Sequence, residues 1–233
     1  MPIAFRANAL GGTADQTSFS ITLPATQLND IIILEYTHRG TTDATLGGTY
    51  SGGAWTEKHD QQYATATLSG KTNWSRATTN HTGQTVTGTG LTNSCAAIIT
   101  IYSGCVTGSD PLAGATVVGE DNASGNETQA QITTTVTQSY VVLVVANSPD
   151  LAVSSQACTT PGTLTARAER LSTGGLDTSI AHASAFLGPA VATGALTWSQ
   201  SNSISGSWAY ALVPAVDIEV IMATMRAAPS RRR

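Results

Sequence analysis

Charged residues are scarce in this chain. Asp, Glu, Lys and Arg together make up 11% of its 233 residues, against about 25% in an ordinary globular domain. Disordered chains combine low hydrophobicity with high net charge, whereas here 41% of the residues are hydrophobic and the net charge is −4. We therefore expect an ordered protein whose surface is polar through hydroxyl and amide groups. Threonine is favoured on the exposed side of strands, so this composition favours a β protein.

Cysteine is also rare, with only Cys95, Cys105 and Cys158 in the chain. Their number is odd, no two are spaced as CxxC, and their neighbours are small or apolar. We therefore expect free and mostly buried thiols. A single Cys95–Cys105 bridge across a turn is the alternative. A chain of this length buries roughly 70% of its unfolded surface on folding, so neither disulfides nor metals are needed to hold it.

Long hydrophobic runs are missing. No stretch approaches the length of about 18 apolar residues that a membrane-spanning helix requires, so we expect no membrane partner. The first ten residues, MPIAFRANAL, lack an apolar core behind a basic start, which predicts no secretory signal and synthesis in a cytoplasm. The acidic balance and the lack of a basic, aromatic patch argue against nucleic acid as a partner.

Signatures of catalysis and of cofactor binding are absent from the sequence. None of His38, His59, His81 and His182 is spaced from another histidine or from a cysteine like a pair of metal ligands. No GxSxG elbow, phosphate-binding loop or calcium-loop motif occurs, and no local pair of carboxylates stands out for glycoside hydrolysis. We expect a non-enzymatic protein with no catalytic residues, no cofactor and no metal.

A duplicated layout is what the chain does contain. The apolar run IIILEYTHRG, at residues 31–40, returns as YVVLVVANSP at residues 140–149. When Ile31–Tyr36 is aligned with Val141–Ala146, further matches follow in the same order and end with SCAAIITIYSG against SWAYALVPA. We interpret the pattern as two pseudo-repeats, at about residues 15–105 and 127–214. Chance agreement between two β-rich stretches is the alternative.

Each repeat has the pattern of short strands separated by Gly and Asn clusters. Ser18–Leu23 alternates apolar and polar residues, and Ala96–Tyr102 is rich in β-branched residues. Roughly eight to twelve such strands predict an all-β, jelly-roll-like β-sandwich built from the two halves. The polar segment 104–126 has the composition of a domain boundary, but a lone repeat would expose long sheet edges. We therefore predict one domain over residues 1–214.

The C-terminal segment, residues 215–233, combines an apolar stripe with a basic end. The stripe fits a helix through one set of residues and a strand through another, and periodicity does not decide between them in so short a piece. One interpretation is a last element that closes the core, and the other is an arm that docks on a neighbouring protein. The predicted docking residues are Ile218, Ile221, Met222, Met225, Arg226, Arg231, Arg232 and Arg233.

Four tryptophans divide by their sequence context. Trp55 and Trp208 stand in apolar strand contexts, which predicts core positions. Trp74 and Trp198 are flanked by Asn, Ser and Gln, so they are the better candidates for surface residues that stack on a glycan. A glycan is therefore a possible partner.

The order of these motifs resembles a β-sandwich module that is often encoded in the structural regions of bacteriophage genomes. The resemblance rests on IIILEYTHRG, then GGAWTEKHD, a Thr- and Ser-rich middle, CAAIITIYSGC before DPL, and a closing SWAYALVPA, over about residues 15–215. The chain departs from the module in having GGAW where a PPxGW turn is usual, and in its Arg-ended tail. The family contributes no catalytic residues.

The resemblance implies a virion component that is made in the host cytoplasm: a capsid decoration protein, a head fibre or a tail-associated protein. The partner it implies is the major capsid or tail protein of the same virion, with copies that associate as homo-oligomers. The alternative function is a carbohydrate-binding module or adhesin of a tail or fibre.

Overall fold

The computed structural model describes residues 2–11, 17–63, 68–122, 128–172 and 177–215. These ranges contain sixteen β-strands and no helix. The first half comprises β1 (Ala4–Gly11), β2 (Phe19–Thr22), β3 (Ile31–His38), β4 (Thr45–Gly48), β5 (Thr56–Tyr63), β6 (Leu68–Arg76), β7 (Thr85–Thr89) and β8 (Cys95–Ser103). The second half comprises β9 (Val118–Asn122), β10 (Thr128–Gln129), β11 (Ser139–Ser148), β12 (Ser154–Ala157), β13 (Thr165–Ser172), β14 (Thr178–Leu187), β15 (Leu196–Ser199) and β16 (Ile204–Leu212).

The two halves have the same strand order. The first half forms a five-stranded sheet, β1-β8-β3-β6-β5, and a three-stranded sheet, β2-β7-β4. The second half forms β9-β16-β11-β14-β13 and β10-β15-β12. These are the orders of the first half with every strand number raised by eight. Within these sheets every strand pairing is antiparallel. The prediction of an all-β sandwich is confirmed, and the halves share one topology.

The sheets stack in four layers, which contain three, five, five and three strands in that order. In the first half, apolar side chains of the small sheet such as Ile21 and Val86 pack on Leu34 of the large sheet. The second half repeats this packing with its own cluster. A third cluster lies between the two large sheets and includes Ile33 and Val144. Each half therefore contains two sheets of its own.

This layering explains the apolar runs that the sequence repeats. Strands β3 and β11 lie inside their large sheets, and these sheets are covered on both faces. All eight residues of β3 are buried, and so are nine of the ten in β11. A strand with two covered faces cannot alternate apolar and polar residues, so it becomes nearly continuously apolar.

The strand pairs of each half are nested. In the first half β1 pairs with β8, β2 with β7 and β3 with β6. The innermost pair of a fully nested roll would join β4 and β5, but β5 pairs with β6 instead. The corresponding strand β13 pairs with β14 in the second half. The jelly-roll description therefore stays a prediction beside the confirmed β-sandwich.

The three cysteines are free and buried, as predicted, and Cys95 and Cys105 form no bridge. Burial raises the pKa of the Cys95 thiol to about 11 and that of Cys105 to about 12. Both thiols are therefore protonated and poor nucleophiles near neutral pH. No helix in the described ranges has the length and apolar character needed to cross a bilayer.

Candidate functional site

A group of buried ionisable residues lies between the two large sheets, at the interface of the halves. Glu35 projects from β3 and has no exposed surface. One of its carboxylate oxygens accepts a hydrogen bond from the hydroxyl of Tyr210 at 2.6 Å, and the other lies 2.6 Å from Nδ1 of His182. His182 is also fully buried. Glu35 belongs to the first half and both of its partners to the second.

The network continues from His182 towards the edge of the interface. Nε2 of His182 lies 2.7 Å from the hydroxyl of Tyr102, which donates to Oγ of Ser184 at 2.9 Å. Ser184 also accepts from Nε of Arg167 at 3.0 Å. His182 therefore contacts Glu35 through one ring nitrogen and Tyr102 through the other, and both of these partners belong to the first half.

Aromatic rings surround the outer end of this network. The guanidinium of Arg167 donates to the hydroxyl of Tyr140 at 2.9 Å and lies 4.8 Å from the ring centre of Phe5. Phe5 in turn packs edge-on against Tyr102. Burial raises the pKa of Tyr102 and of Tyr210 above its usual range, so both phenols remain neutral donors. The network thus joins side chains of both halves.

A second contact interlocks the halves through rings and glycines. Nε1 of Trp208 donates to Oγ1 of Thr72 across the interface at 2.7 Å. The Trp208 ring stacks parallel to Tyr63, with centroids 6.2 Å apart. Each ring lies on a glycine of the other half, because a Cβ on Gly70 would stand 2.5 Å from Trp208 and one on Gly206 2.3 Å from Tyr63. The core position predicted for Trp208 is confirmed.

A different ionic group lies on the outer side of the first half. Nζ of Lys71 lies 2.7 Å from Asp43, 2.9 Å from Asp60 and 3.2 Å from Glu57. Burial lowers the pKa of Lys71, but the hydrogen bonds to these carboxylates outweigh burial and raise it above its ordinary value. The ammonium group takes the place between carboxylates that a bound cation would occupy. In the described part of the chain, no three His, Cys, Asp or Glu side chains are arranged to hold a metal ion.

The residues predicted from sequence fall in three different places. All eight predicted docking residues of the C-terminal arm lie outside the described residues. Trp198, expected at the surface, is 2% exposed and packs in the core of the second half, so it offers no ring face to a sugar. Trp74 is partly buried, with the guanidinium of Arg76 at 6.0 Å from its ring centre. Its glycan-stacking role stays a prediction.

Sequence reasoning missed the network between the halves. Glu35 carried a signal, because a carboxylate inside the run IIILEYTH must have a partner once both faces of the strand are covered. Its partner His182 lies 147 residues further along the chain. No local spacing could have connected the two residues.

Comparisons with known proteins add little to this geometry. No protein-family model matches the chain, and no curated protein matches it. Among solved structures, a chain of "X-ray structure of Melon necrotic spot virus" aligns over 89% of this chain and 95% of its own length, with 11% sequence identity and a TM-score of 0.21. A TM-score of this size supports no inference about fold or function.

Proposed function

We propose that the protein is a non-enzymatic structural component of a bacteriophage virion, displayed on the particle surface as a capsid decoration protein. The proposal rests on the resemblance of residues 15–215 to a phage β-sandwich module. The observation that supports it best is the placement of the ionisable network. Glu35, His182 and Tyr210 are buried between the halves, where they join two parts of the scaffold.

The physical character of the fold suits this role. Four stacked sheets with three apolar clusters form a compact scaffold. The few charged side chains include several that are already paired, such as Lys71 with three carboxylates and Arg6 with Asp30. A surface with little charge can pack against neighbouring subunits without desolvating many ions. Copies around a symmetric shell would use such contacts in closed rings.

Attachment is assigned to the C-terminal arm, residues 215–233, with the major capsid or tail protein as its partner. The apolar stripe would pack on the shell and the terminal arginines would pair with acidic groups there. Deleting residues 215–233 is expected to leave a folded β protein that no longer joins particles. Circular dichroism checks the fold, and quantitative electrophoresis of purified virions measures occupancy.

A matched variant separates the two parts of the arm. Replacing Arg226, Arg231, Arg232 and Arg233 by Gln keeps the apolar stripe, and it should reduce occupancy in a salt-dependent manner without abolishing it. Normal occupancy of the deleted chain would refute the docking role of the arm. Absence of the full-length chain from purified virions would refute the proposed function itself.

A further inference from the structure

One end of the second half is less completely covered than the matching end of the first. Ile31 of β3 pairs with Arg76, and at the same place in the second half Tyr140 of β11 pairs with Phe186. Ile31 is fully buried, whereas Phe186 is 46% exposed. Tyr140 and its hydrogen-bond partner Arg167 are partly exposed as well. Tyr140, Arg167 and Phe186 thus form an open patch of rings around a guanidinium.

In the first half, the chain that leaves β8 covers the matching place. This connecting segment, residues 104–117, supplies apolar side chains to the cluster between the large sheets. The carbonyl of Val106 accepts a hydrogen bond from Nη2 of Arg76 at 2.6 Å. Further along, the carboxylate of Asp110 lies 2.6 Å from Nζ of Lys58. The segment therefore adds both apolar cover and an acid.

Lys58 and Arg167 hold matching positions in the two halves. Lys58 is skipped in the pairing of β5 with β6, and Arg167 is skipped in the pairing of β13 with β14. Each is thus the extra residue of a bulge. The cation of the first half is paired with Asp110. Among the described residues, the hydrogen-bond acceptors of Arg167 are the neutral hydroxyls of Ser184 and Tyr140.

The chain that leaves β16 emerges beside the open patch, because Leu212 at its end pairs with Tyr140. A symmetric pair of backbone hydrogen bonds then joins it to the chain that leaves β8. The amide of Val106 donates to the carbonyl of Val213 at 2.9 Å, and the amide of Ala215 donates to the carbonyl of Gly104 at 2.7 Å. Exchanging the two halves therefore places Ala215 where Val106 lies.

The sequence beyond these two residues supplies an acid at the same distance. Asp110 follows Val106 by four residues, and Glu219 follows Ala215 by four. The intervening residues are TGS in the first half and VDI in the second. The more apolar of the two segments thus belongs to the half whose patch carries an exposed aromatic ring, which is the match that burial of apolar surface favours.

We propose that residues 216–219 dock on the open patch of their own molecule. Glu219 pairs with Arg167, as Asp110 does with the cation of the first half, and the apolar residues before it cover Phe186. The inference is independent of the proposed virion role. It takes Ile218 from the apolar stripe that was assigned to the shell, and it leaves the residues beyond 219 for that contact.

Hydrogen exchange of the full-length protein, read by mass spectrometry of its fragments, tests the docking. Amides of residues 217–219 should exchange at least about tenfold more slowly than in a synthetic peptide of residues 213–233. Phe186→Ser should remove most of this slowing. Leu28→Ser, which alters an exposed apolar residue of the first half, is its control and should leave the slowing unchanged.

A second pair of variants tests the ion pair. Glu219→Gln should reduce the slowing by about twofold to fivefold, as expected for a partly exposed ion pair. Asp217→Asn removes a charge of the same sign two residues away and should have no effect. Because Glu219 lies beyond the last strand, its variant is informative even if Phe186→Ser does not fold.

Three results would overturn the proposal. The first is exchange of residues 217–219 at the rate of the peptide. The second is slowing that persists unchanged in Glu219→Gln or in a folded Phe186→Ser variant. The third is slowing that disappears on dilution, because the occupant of the patch would then be a second copy of the chain. All of these measurements use the free protein, so they are separate from the occupancy of particles.

Discussion

The two halves share one strand order but differ in the chemistry they present to each other. Glu35 of β3 pairs with Thr72 and Ile98 on its neighbouring strands, whereas Val144, at the same place in β11, pairs with His182 and Trp208. Across the interface, Glu35 of the first half is hydrogen-bonded to His182 of the second. Trp208 of the second half donates a hydrogen bond to Thr72 of the first. Two copies of one half would lack these complementary partners. The difference teaches that the halves are complementary to each other and not interchangeable.

The largest expected effect comes from removing the acid of this pair. Glu35→Val gives the first half the residue of the second, and it should lower the free energy of unfolding by about 3–5 kcal/mol because it leaves His182 and Tyr210 without their acceptor. Urea denaturation followed by tryptophan fluorescence measures the loss.

A double-mutant cycle sharpens this result. His182→Thr, alone and combined with Glu35→Val, should show that the double variant loses less stability than the sum of the two single variants, by about 1–3 kcal/mol. Strict additivity would mean that Glu35 and His182 contribute independently and that their contact does not couple the halves.

The ring-on-glycine contact should give a smaller effect. Gly70→Ala places a Cβ 2.5 Å from the Trp208 ring, and overpacking of this kind costs roughly 1–3 kcal/mol. Gly108→Ala is the control, since a Cβ there meets no atom within 4 Å, and its effect should stay within about 0.5 kcal/mol. Equal stability of the two variants in urea would show that the rings can move aside freely.

A further effect concerns pH and belongs to the first half. Burial lowers the pKa of His38 from 6.5 to about 4, and neither ring nitrogen has a hydrogen-bond partner. Between these two values the unfolded chain binds a proton that the folded chain does not, so stability falls as the pH drops from about 6.5 towards 4. Burial lowers the pKa of His59 to about 4 as well, so both residues contribute to this slope.

Replacing His38 by Leu should reduce that slope without removing it. Stability measured in urea at pH 8, where both histidines are neutral in either state, is the reference. An unchanged slope between pH 6.5 and 4 would mean that His38 takes up its proton equally in the folded and unfolded chains.

The sequence predicted which residues form strands better than it predicted which side of the sheet each side chain faces. The apolar runs at Ile31 and Val141 are strands as expected. The sequence alignment that matched Ile31 with Val141, however, is shifted by an odd number of residues from the structural correspondence of the two strands. Ile31 faces the other half and Val141 faces its own small sheet. A shift of one residue reverses every side chain of a strand, and a run buried on both faces has no alternation to reveal the error.

Short strands account for most of the other differences between the sequence-based predictions and the structure. Trp198 lies in the four-residue strand β15, which alternates buried and exposed residues, so its polar neighbours point outwards while the indole points inwards. The indole donates to Oε1 of Gln200 at 2.8 Å, which satisfies its one polar atom. Strands as short as β10 and β12 contain too few residues for a periodic pattern. The arm at residues 215–233 stays a prediction.

Native-state hydrogen exchange on the Glu35→Val variant tests the central claim that each half is held in place by the other. Amides in the middle of β3 and of β11 report the free energy of opening for the two halves separately. We predict that the substitution lowers the opening free energy of both strands by the same amount, although the changed residue lies only in the first half. A decrease confined to β3, with β11 still protected as in the unsubstituted protein, would contradict the account.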